Sequence, residues 1–133
     1  MPMLPITSFY SAILAILILK LAYNVIKVRQ AEKQGLGYDQ KNLLLAGRIH
    51  ANAIEYVPIA LILLALTELN GVPSFIIHII GLTLVIARVI HAKGFSIAKG
   101  EAHPGRYWGT VLTWLVVTSL AILNLVYSWR YLL

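Results

Sequence analysis

The chain has 133 residues, of which 59% are hydrophobic and 12% charged. About a quarter of a soluble domain carries charge, so this composition excludes one, and the length leaves room for a single compact unit. The net charge of +6 does not mark a nucleic-acid binder, because the 11 basic residues are scattered among apolar runs, and the lack of cysteine excludes a disulfide framework or a protein thiol nucleophile.

A hydrocarbon core about 30 Å thick takes roughly 20 apolar residues in a helix. Four stretches meet that need, predicting an all-α membrane protein: a four transmembrane helix bundle forming one domain over residues 1–133. The predicted helices cover about 4–29, 39–68, 74–96 and 104–131. Only Lys20 and Asn24 interrupt the first apolar run. It is too long for a signal peptide, and no small-residue cleavage site follows it. Next comes a polar connector from Gln30 to Gly37, with Gly35 and Gly37 as helix breakers. Tyr38 or Asp39 then opens the second helix, Asp39 as a plausible N-cap.

Arg48, Asn52 and Glu55 enter an otherwise apolar second helix, within about 60° of one another on one face. Charges at membrane depth cost about 2.5–3.5 kcal/mol each on insertion scales, so they usually serve a purpose. One reading is structural: a buried Arg48 paired with Glu55, with Asn52 adding a hydrogen bond between helices. The other is a ligand site. Arg48, Arg88 and Arg106 face only Glu55 in this half of the bundle, and arginine binds carboxylates and phosphates through two parallel bonds. That surplus points to a small anion or an anionic lipid. Pro58 frees the carbonyl of Ile54 and predicts a kink.

Asn70-Gly71-Val72-Pro73 is a turn signal before the third helix. On that helix Arg88, His91 and Phe95 recur at spacings of three and four and share a face. His50, His78 and His103 lack metal-ligand spacing to His91, so no metal site is expected. The fourth helix opens with Gly105-Arg106-Tyr107-Trp108-Gly109, a GxxxG that lets helices approach closely. It also puts Arg106 at a helix N-terminus, where backbone donors and a cation suit an anion such as a thiolate.

Basic residues set the expected orientation. Lys27, Arg29, Lys33 and Lys41 flank the first connector and Lys93, Lys99 and Arg106 the third, against Arg130 on the other side. Both termini are therefore expected outside and the two basic connectors inside. Tyr127, Trp129 and Tyr131 fit an outer aromatic belt, and Tyr107 and Trp108 an inner one.

At these residues the chain resembles the MAPEG superfamily, the membrane-associated proteins of eicosanoid and glutathione metabolism. Arg48-x-x-x-Asn52-x-x-Glu55-x-x-Pro58, with Tyr56 beside the glutamate, is similar to that family's second-helix signature. Arg88-x-x-His91-x-x-x-Phe95 resembles its third-helix motif, in which tyrosine is common where Phe95 stands. Pro104-Gly105-Arg106 resembles the stretch whose arginine activates the glutathione thiol; Tyr107 stands where some members have serine. The likeness spans the chain and is nearest to small bacterial inner-membrane members related to microsomal glutathione transferases.

The resemblance implies a homotrimer binding glutathione between subunits near the inner membrane face. Arg48, Asn52, Glu55 and Tyr56 would hold the tripeptide, with Arg88, His91, Phe95 and Tyr107 around it. Lys27 or Arg29 would reach in from the adjacent subunit, and Arg106 would stabilise the thiolate that attacks lipophilic electrophiles or hydroperoxides from the bilayer. A non-enzymatic member binding lipid or a partner protein is the alternative. A small multidrug exporter is a third reading, although that class relies on an intramembrane carboxylate that arginines leave unneutralised.

Overall fold

The computed structural model describes residues 3–129 and 132, and contains four helices: α1 (Pro5–Ala31), α2 (Lys41–Leu69), α3 (Ser74–Ile97) and α4 (Pro104–Trp129). Each is long and apolar enough to cross a membrane, which makes the chain a multi-pass membrane protein. Arg130 and Tyr131, assigned above to the outer charge count and the aromatic belt and to the end of the expected fourth helix, lie outside the described residues.

Helix α3 packs against α4, and α1 against α2; α2 also meets α3 and α4, and α1 meets α3, whereas the backbones of α1 and α4 are not neighbours among the described residues. The α1–α2 and α3–α4 connectors share one end of the bundle, where Gly100 faces Leu45. The α2–α3 turn lies at the other, where Glu68 meets the start of α1.

Lipid tails are as apolar as leucine, so burying apolar surface gives these helices little reason to associate; close packing of small residues does it instead. Ala53, Ala60, Ala87 and Ala92 are all buried. A Cβ on Gly94 would come within 2.5 Å of the Arg106 backbone nitrogen, and one on Gly109 within 2.5 Å of the His91 Cβ. The GxxxG of α4 is thus seated on α3. The Tyr10 ring fills the space beside Gly81 in the same way, joining α1 to α3. Phe9, Ile16, Leu19, Ile62, Ile79 and Leu125 stay exposed, as suits a lipid-facing surface.

Helix ends are finished by specific contacts. Leu4, the N-cap of α1, has no capping side chain. The Glu68 carboxylate accepts the amide protons of Ile6 at 3.0 Å and Thr7 at 2.8 Å in its place. A carboxylate there also suits the positive end of the helix dipole. The end of α2 follows the turn signal: Gly71 takes φ 77°, which glycine adopts without steric cost.

Two local expectations are corrected. Residue 33, not Gly35, turns the chain out of α1, with Lys33 at φ 51° and the Gln34 amide bonded to the Arg29 carbonyl. Asp39 does not cap α2, which starts at Lys41 after Gln40; its carboxylate accepts a 2.6 Å bond from Gln34 Nε2 within the connector. Helix α2 continues through Pro58 as one element. Asn124 Nδ2 ties α4 to α2 through the Leu63 carbonyl and Thr67 Oγ1.

Candidate functional site

Arg88 organises the polar interior. Only 1% of its surface is exposed, and no carboxylate among the described residues hydrogen-bonds to it. Its Nη2 donates to Asn52 Oδ1 at 2.7 Å and its Nη1 to Thr113 Oγ1 at 3.5 Å, so it ties α3 to α2 and α4. The guanidinium lies 5.8 Å from the centre of the Tyr56 ring, and Glu55 is within Coulombic range. Tyr56 Oη in turn accepts from Trp114 Nε1 at 3.2 Å. Arg88 Nε and His91 Nδ1, one turn apart on α3, are buried without a hydrogen-bond partner among the described residues. Buried polar groups are nearly always satisfied, so these two adjacent unmet atoms single out this stretch of α3.

A second cluster forms where α3 meets α4. Arg106 Nη1 donates to the Gly100 carbonyl at 2.9 Å, and its guanidinium lies 3.9 Å from the centre of the Phe95 ring. This is close cation–π stacking. Phe95 also meets the His91 ring edge-on at 5.8 Å. Phe95 therefore acts as a shelf for the arginine, a role that needs the ring face and no hydroxyl. Arg106, His103, Tyr107, Thr110 and Trp114 line a cavity of about 420 Å³ on the outer side of α4. Tyr107 itself is mostly exposed.

The expected buried pair of Arg48 and Glu55 is not formed. Both side chains are exposed on the outward face of α2, and no ion pair joins them among the described residues. Seven residues along a helix is about 10.5 Å of rise, so sharing a face does not bring them into contact. Asn52 bonds to Arg88 instead, and Asn52 and Tyr56 are half-buried. Arg48 lies between two cavities of about 210 and 300 Å³.

Of the two candidates on α1, Arg29 is engaged in its own chain. Its Nη1 donates to the carbonyls of Gly35 and Gly37 at 3.2 Å, and the guanidinium stacks on Tyr38 at 4.9 Å. Lys27 lines a cavity of about 400 Å³ with Asn24, Glu32 and Asn42. Thr113, Trp114 and the Gly100 carbonyl went unnoticed in the sequence. Thr113 had one available signal: it sits one turn beyond Gly109, on the face that glycine packs against α3.

The MAPEG family model matches residues 7–126. The chain is also similar to the inner membrane protein YecN of Escherichia coli strain K12 and of strain O6:H1. Each is 31% identical over 123 residues, covering 92% of both chains. No solved structure matches. A helical membrane fold carrying these three motifs, matched along nearly its whole length, belongs to the MAPEG family.

Proposed function

We propose that this protein binds glutathione in the membrane and uses its thiolate on lipophilic electrophiles or hydroperoxides, as a glutathione transferase or peroxidase. One observation carries the reading. Arg48 and Glu55 stand exposed, with no ion pair between them among the described residues, on the same face of α2 as Asn52 and Tyr56, while Arg88 adds a cation bonded to Asn52 and Arg106 another at the start of α4. That charge pattern complements a tripeptide with two carboxylates and one ammonium: arginines for the carboxylates, Glu55 for the amine.

Outward-facing ligands on α2 suit a site completed by a neighbouring copy, and family resemblance suggests a homotrimer. Lys27, lining an open cavity on α1, is the better placed of the two α1 cations to reach across. The inner-membrane name of its relatives and the basic connectors support an inner membrane location with connectors inside and termini outside.

Glutathione would supply the sulfur nucleophile. Arg106, third residue of α4, would place its guanidinium and the helix's positive end near the sulfur, favouring the thiolate over the thiol. Phe95 and the Gly100 carbonyl hold that guanidinium in place. Conjugation of a chlorinated aromatic forms the carbon–sulfur bond, expels chloride and leaves the thiol proton to solvent. Position and electrostatics are the protein's contribution. Arg106→Ala is expected to raise the pKa of the bound thiol and lower the conjugation rate, with glutathione affinity falling less. Ultraviolet thiolate absorbance reports the ionisation; an unchanged signal and rate would refute the role of Arg106.

A further inference from the structure

We infer that the cleft between the start of α2 and the α3–α4 connector is a phosphate site for the headgroup of an anionic phospholipid. Three cations line it: Lys41, Arg48 and Lys99. None of its lining residues is acidic. The cavity beside α1 differs, since its lining holds an acidic residue, Glu32, as well as Lys27. Leu44, Leu45 and Phe95 form the remaining wall, and Leu44 is 46% exposed. A cleft both cationic and apolar suits a ligand that is itself anionic and apolar, and basic pockets between membrane helices bind such headgroups. Its volume of about 210 Å³ equals about seven waters, and Leu44 and Arg48 continue it into the neighbouring cavity.

Two elements supply the cations: α2 carries Lys41 and Arg48, and the α3–α4 connector carries Lys99. Lys41 is the first residue of α2, whose N-cap Gln40 makes no side-chain capping bond. The backbone dipole there adds to the positive charge. Lys99 sits at φ 49° on a turn fixed by the Gly100 amide bonding to the Phe95 carbonyl and by Arg106 bonding to the Gly100 carbonyl. Arg48 belongs also to the proposed glutathione face. Lys41 and Lys99 do not, so the two readings can fail separately.

The test is native mass spectrometry of the full chain in detergent micelles, titrated with phosphatidylglycerol or phosphatidylcholine. Phosphatidylglycerol is expected to bind more tightly. A basic residue near an anionic surface contributes about fivefold, so Lys41→Gln with Lys99→Gln should weaken binding about thirtyfold. Lys33→Gln with Lys93→Gln removes equal charge from exposed positions outside the cleft and should cost less than about threefold. Lys41→Arg with Lys99→Arg should retain binding. Circular dichroism should show the Lys41→Gln, Lys99→Gln protein as helical and as stable as the parent, which shows it folded whether or not glutathione binds. Equal affinity for both lipids would overturn the inference, as would equal losses in the two glutamine pairs. Displacement by inorganic phosphate at the lipid's own concentration would overturn it in favour of a soluble phosphate.

Discussion

Gly109→Ala tests how the site is held together. A Cβ there would lie 2.5 Å from the His91 Cβ and 2.7 Å from both the Ala87 carbonyl oxygen and the His91 Cα. Comfortable carbon–carbon contact is about 3.5–4.0 Å, so α4 must withdraw from α3 by about 1 Å. Two of the three obstructing atoms are backbone, and no rotamer change moves them. Overpacking of this kind costs about 1–3 kcal/mol. The withdrawal should also break the bond from Arg88 to Thr113, already at 3.5 Å, and loosen the seat of His91. Reversible unfolding in mixed micelles, followed by circular dichroism, should show that loss. Gly35→Ala is the control: nothing lies within 4 Å of its added methyl, and the change should stay within about 0.5 kcal/mol. A Gly109→Ala protein as stable as its parent would refute the close α3–α4 packing on which the arrangement of Arg88, His91 and Arg106 depends.

Glu55→Ala should leave stability within about 0.5 kcal/mol of the parent, because Glu55 is exposed and pairs with no buried arginine, while glutathione binding by calorimetry should be lost. Glu68→Ala should cost about 1–3 kcal/mol in the same unfolding assay, since it strips the amides of Ile6 and Thr7 of their acceptor; a neutral result would show that water replaces it. Native mass spectrometry in mild detergent should show trimers; mainly monomers or dimers would contradict a site completed by a neighbouring copy.

The four spans were readable because lipid imposes one rule on every residue that faces it, and runs about 20 residues long are hard to mistake. Gly105 and Gly109 were readable as packing positions for the same reason. Pairing among the polar residues was not. Arg48, Asn52 and Glu55 share a helix face, which suggested a pair within α2. The partner Asn52 takes is Arg88, 36 positions away, and periodicity along one helix carries no information about the neighbouring helix. Glu68 reaches the start of α1 across 61 positions and was invisible for the same reason. Arg29 was read by its charge, whereas its hydrogen-bond geometry commits it to carbonyls of its own connector. The ring face of Phe95 mattered more than the hydroxyl it lacks, because Arg106 stacks on it.

Calorimetry of the purified protein with glutathione and with its S-hexyl derivative bears most directly on the central claim. Saturable binding of both is expected, sharply reduced by Asn52→Ala, which removes the Arg88 acceptor from the face that would hold the tripeptide. No saturable heat with either ligand, from folded protein in a mild detergent, would contradict the claim and leave a binding protein for lipid or another partner.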